Sequence, residues 1–83
     1  MRSYKLVKWI SYDDLVKLYL REKNGKVKMR LLIIIKLYEG HKLYHVSKEL
    51  KMSVSTVSKW LKRWNQGGYA ALLDSKSRRK QRA

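Results

Sequence analysis

The chain has 83 residues, 45% of them hydrophobic and 33% charged, with 21 Lys and Arg against 6 Asp and Glu for a formal charge of +15. That composition excludes a disordered polyelectrolyte and allows one domain with a modest core. With no cysteine, disulfides and zinc knuckles are excluded; the longest apolar run, Leu31 to Ile35, is too short to span a bilayer, and no signal-peptide pattern opens the chain.

Residues 1–10 set Tyr4, Leu6, Val7, Trp9 and Ile10 between lysines, a pattern that fits a short strand or an arm packed on the body or on a second copy. Ser11 then has the character of an N-cap, with Asp13 and Asp14 in the first turn where the helix dipole favours acids. Tyr12, Leu15, Val16 and Tyr19 recur at helical spacing, and this first helix is expected to stop near Asn24-Gly25. A second helix is predicted from about Lys26 to Glu39, with Gly40 as its terminator. Its stripe is Val27, Leu31, Ile34 and Tyr38, widened by Leu32, Ile35 and Leu37, so it is the expected centre of the core.

Leu43 to Leu50 reads as a short third helix with Leu43, Val46 and Leu50 on one face. Lys51-Met52 is a tight link, and Ser53 caps a longer fourth helix that carries Val57, Trp60, Leu61 and Trp64 at i, i+3, i+4 and i+7 and ends at Gly67-Gly68. Trp60 and Trp64 fall on its apolar face, where core packing is the natural reading. A last turn of helix is predicted over Tyr69 to Leu73. Beyond Asp74 the chain becomes a basic tail, predicted to be disordered until a partner orders it.

A short helix, a turn of a few residues and a longer helix make the helix-turn-helix pattern. In the second helix of this pair the face left over by the core reads Ser55, Ser58, Lys59 and Lys62. Small hydroxyls near a helix start allow close approach to base edges, Val54 at the tip can meet a thymine methyl, and lysines farther along reach flanking phosphates. The helix N-terminus with Ser53, Ser55 and Thr56 suits a phosphate. A merely solvated polar face would account for the lysines. It would not account for the short-long helix pair, the small polar start and the +15 charge together.

The stretch EGHKLYHVSKELKMSVSTVSKWLKRWNQGGYAALLD, residues 39–74, resembles the N-terminal DNA-binding domain of IS630/Tc1-mariner-type transposases, with the homeodomain-like helix-turn-helix of paired-type proteins as wider kin. The KEL-x-x-S-x-STV core, the W-x-K-R-W stretch and the GGYAALLD ending carry the likeness. The resemblance implies three core helices, with Val54 to Gln66 in the major groove. Three departures stand out. Lys51 occupies a turn position where such sequences often have glycine, at a cost of about 1 kcal/mol if the backbone there is left-handed. Lys42 replaces the usual N-cap and cannot accept a capping bond, and the tail lacks a glycine-arginine-proline signature, though its arginines can enter a minor groove.

The expected fold class is therefore all-α: a homeodomain-like trihelical helix-turn-helix at residues 26–66 with an extra N-terminal helix, one domain over residues 1–74, and a basic tail at 75–83. The expected DNA-binding residues are Lys42, Ser53, Val54, Ser55, Thr56, Ser58, Lys59, Lys62, Arg63, Lys76, Arg78 and Arg79. Double-stranded DNA is the expected partner, with no membrane partner and with a homodimer through the apolar arm held open. No cofactor, no metal and no catalysis are expected. His41 and His45 lie four apart without an evident third ligand, and the acids are mostly scattered over predicted helix surfaces. Trp9, with Leu6 and Ile10, marks the dimer contact if it is exposed. A cytoplasmic, nucleoid-associated regulator or site-recognition factor is the first expectation. A transposase's recognition portion and a sequence-tolerant architectural protein are the alternatives.

Overall fold

The computed structural model describes residues 5–73, which form four α-helices and a closing 3-10 helix with no strand among them. Helix α1 spans Tyr12–Arg21, α2 Gly25–Tyr38, α3 Leu43–Leu50 and α4 Val54–Gly67, and the 3-10 turn covers Gly68–Leu72. No described helix is long and apolar enough to cross a membrane.

Short-range chemistry sets most boundaries. The Ser11 hydroxyl accepts from the Asp14 amide at 3.1 Å, with Asp13 and Asp14 against the positive end of α1. α1 stops at Arg21, before the Asn-Gly pair expected to stop it. Asn24 instead starts α2: its backbone is extended and its Oδ1 accepts from the amides of Lys26 at 2.8 Å and Val27 at 3.2 Å. Asparagine serves a helix start as well as a helix stop, and here the start prevails. α2 ends as expected at Gly40, whose φ of 95° lets His41 N–H reach back to the Lys36 carbonyl and Gly40 N–H to that of Leu37. α3 has Lys42 at its N-cap without a side-chain capping bond, and it closes on Lys51 at φ 55°, ψ 50°. Two of the three departures noted in the sequence thus have structural counterparts, and the third, in the tail, lies outside the described residues.

α2 forms the centre of the core. Val27, Leu31, Ile33, Ile34, Ile35 and Leu37 are all buried, because α1, α3, α4 and the 3-10 turn all pack against it. Ile33, outside the expected stripe, is buried by these neighbours, whereas Leu32 is only half-buried. α4 adds Val57, Leu61 and Trp64, the last with no exposed surface.

The N-terminal arm, residues 5–10, is neither strand nor helix and lies against α4 of its own chain. Val7 N–H donates to Asn65 Oδ1 at 2.8 Å, and Asn65 Nδ2 donates to the Lys5 carbonyl at 2.8 Å. The indole N–H of Trp64 donates to the Val7 carbonyl at 2.6 Å, and that of Trp9 to the Trp64 carbonyl at 2.6 Å. Leu6 and Ile10 pack on the core, and the Tyr38 hydroxyl donates to the Ile10 carbonyl. Of the three apolar side chains expected at a dimer contact, Trp9 alone stays exposed.

Candidate nucleic-acid interface

α4 is held on three sides, and this determines which of its residues face outward. Its start is capped by Ser53 Oγ, which accepts from the Thr56 amide at 3.2 Å and lies 3.0 Å from the Thr56 hydroxyl. Its inner stripe is buried, and its last turns are tied to the arm through Trp64 and Asn65. The outer side is what remains. Ser55, Ser58, Lys59, Lys62, Arg63 and Gln66 line one shallow depression along it.

Five of the expected residues are thus brought together: Ser55, Ser58, Lys59, Lys62 and Arg63. Val54 stands at the tip of the helix with 41% of its surface exposed. Ser53 and Thr56 are bonded to each other and to the helix start, so their hydroxyls serve the cap first. Lys42 is exposed at the start of α3, outside this depression. Lys76, Arg78 and Arg79 lie outside the described residues.

The electrostatics favour an anion. α4 contains no acidic residue. Among the described residues no carboxylate comes within ion-pair distance of Lys59, Lys62 or Arg63, and the pairs that do form are Lys36–Glu49 and His41–Glu39. Cations without counter-charges on one rigid surface create the field that a polyanion neutralises.

Trp60 is half-buried and ringed by cations. Arg30 stacks over it with Cζ 4.3 Å from the ring centroid, Lys59 Nζ lies at 5.0 Å and Arg63 Cζ at 5.3 Å. The indole thus steers Lys59 and Arg63 while keeping both available. Arg30 also donates to the Leu72 carbonyl at 2.9 Å, joining α2, α4 and the 3-10 turn behind the face.

Sequence reading passed over several participants. Gln66 follows Lys62 by one helical turn, so the same periodicity that found Lys62 reaches it. Tyr44 on α3 is 57% exposed with Lys48 Nζ 5.3 Å from its ring centroid, an i, i+4 pair that was readable. The roles of Asn65 and Arg30 left no local signal, because their partners are 58 and 42 residues distant in the chain. No group of three or more His, Cys, Asp or Glu side chains that could hold a metal comes together among the described residues.

The model of the homeodomain-like domain family matches residues 24–73, which take in α2, α3, α4 and the 3-10 turn. No curated protein and no solved structure matches the chain. The chain belongs to the homeodomain-like family, and its helix-turn-helix points to DNA binding.

Proposed function

We propose that this homeodomain-like domain binds duplex DNA with α4 in the major groove, as a transcriptional regulator or site-recognition factor. The observation that carries the reading is the acid-free outer side of α4, where Ser55, Ser58, Lys59, Lys62 and Arg63 converge on a helix fixed at its cap, its stripe and its end. Val54, Ser55 and Ser58 are short enough for the helix to approach base edges. Lys59, Lys62 and Arg63 reach phosphates, with Lys42 and the basic tail (Lys76, Arg78, Arg79) adding further contacts. The protein acts by binding rather than catalysis, in the cytoplasm on the nucleoid. The likeness of residues 39–74 to mariner-type transposases supports a second reading, the recognition portion of such an enzyme. A sequence-tolerant architectural role is the third.

Selection from random duplex DNA at physiological salt, with excess competitor, separates these. A regulator or recognition factor yields an enriched motif that is lost in the Ser55→Ala, Ser58→Ala double variant. Tight binding without enrichment indicates the architectural role, and absence of duplex binding overturns the proposal. The symmetry of the motif reports whether a homodimer forms. With about five phosphates neutralised, log K falls with log salt at a slope of about −4.5. A slope near zero removes the electrostatic part.

A further inference from the structure

A second surface, sharing no residue with the α4 face, opens where the arm passes the start of α1 and the end of α2. Lys8, Trp9, Tyr12, Tyr38 and Glu39 border a wide, shallow groove of about 800 Å³. We propose that the open face of Trp9 is a stacking platform for an unpaired nucleobase, and that this groove binds single-stranded DNA.

The indole is fixed before any ligand arrives. Its N–H is held by the Trp64 carbonyl, and one ring face is backed by Gly68, where an added Cβ would lie 3.4 Å from Trp9 Cδ1 and 3.5 Å from Cγ. Gly68 also has a φ of 67°, a backbone conformation that disfavours a side chain there. Even so, 52% of Trp9 is exposed. A large aromatic ring, held by its N–H and backed by Gly68 yet half exposed, has already lost the orientational freedom that stacking would otherwise remove. Tyr12 and Tyr38 stand nearby with ring centroids 6.4 Å apart, and Tyr38 is itself fixed by the Ile10 carbonyl and by edge contact with Trp64.

Charge selects the occupant. Lys8 Nζ lies 5.6 Å from the Tyr38 ring centroid. Among the described residues Glu39 is the one acid lining the groove, with Asp13 next to Tyr12 at its edge; Glu39 accepts from the Tyr12 hydroxyl and is 3.5 Å from His41 Nε2. A cationic ligand meets a chain of +15, and a second copy brings another +15 with Leu6 and Ile10 already packed inward. A strand of nucleic acid offers both matching features, a phosphate for Lys8 and a π-face for Trp9. In a duplex the bases are paired and stacked, so only an unpaired base reaches the indole. The inference does not depend on duplex recognition by α4.

The test is fluorescence anisotropy with a labelled oligothymidylate of about 12 nucleotides and, in parallel, a labelled duplex. Trp9→Leu keeps apolar bulk over Gly68 but removes the stacking face, and Trp9→Phe keeps a smaller one. Single-strand affinity is expected to fall about tenfold or more in Trp9→Leu and less in Trp9→Phe, with duplex affinity within about twofold of the original. Lys62→Ala is expected to do the reverse. Equal loss on both probes, no loss on the single strand, or no single-strand binding by the original chain overturns the proposal. So does a concentration-dependent dimer that Trp9→Leu abolishes. Should Trp9→Leu disturb folding by circular dichroism, photocrosslinking of the original chain to iodouracil-substituted oligothymidylate decides. An adduct on Trp9 or Tyr12 supports the site, and adducts confined to α4 overturn it.

Discussion

α2 and α4 are both fourteen residues long, yet the fold uses them in opposite ways. α2 is packed by α1, α3, α4 and the 3-10 turn and buries six apolar side chains, including three consecutive isoleucines. α4 buries Val57, Leu61 and Trp64 along one stripe and leaves Ser55, Lys59, Lys62, Arg63 and Gln66 exposed. A helix with a broad apolar surface is held as a core element, whereas a helix with one narrow apolar stripe can be carried by a core and still offer a face. Stability and recognition are therefore separated onto two helices, and each can be altered with little effect on the other.

The sharpest test pairs one residue from each. Ile34→Ala in α2 removes a fully buried side chain and is expected to cost about 2–5 kcal/mol, read by denaturant unfolding. Lys62→Ala in α4 is expected to change stability by less than about 0.5 kcal/mol and to reduce the salt slope of duplex binding by about 1. If Lys62→Ala unfolds the domain, or Ile34→Ala leaves stability unchanged, the separation of roles is wrong.

A smaller effect is expected at the link between α3 and α4. Lys51 holds φ 55° with a Cβ, the conformation that glycine adopts without steric cost. Lys51→Gly is expected to stabilise the fold by about 1 kcal/mol by calorimetry. No gain would mean that the turn carries little strain or that the Lys51 side chain offsets it.

The smallest effect lies at alkaline pH, on the side of α2 that meets the arm. Burial pushes the Tyr38 hydroxyl above its ordinary value. Burial, together with a hydrogen bond to Glu22, does the same to Tyr69. The folded state therefore holds these protons more tightly than the unfolded chain. Their contribution is complete below the ordinary tyrosine value of about 10 and is lost as pH rises through the raised values. Tyr38→Phe is expected to lower stability at neutral pH, by loss of the bond to the Ile10 carbonyl, and to flatten the alkaline decline. An unchanged alkaline slope would clear Tyr38 of any part in it.

What the sequence alone determined was decided within a few residues. Ser11 and Ser53 mark the starts of α1 and α4 because a side-chain oxygen caps an amide three positions on. Leu43–Leu50 and the Val57, Leu61, Trp64 stripe follow from helical periodicity, and with them the outward set Ser55, Ser58, Lys59, Lys62 and Arg63. Asn24 was ambiguous even locally, since asparagine both ends and begins helices. Tertiary structure alone decided that Ile33 is buried, that Arg30 stacks on Trp60, that Asn65 holds the arm, and that Trp9 lies against Gly68 while staying half exposed. The physical reason is range. Caps and periodicity act through bonds one turn long, whereas the contacts of Arg30, Asn65 and Trp9 join residues that become neighbours only once α2 and the arm have packed against α4.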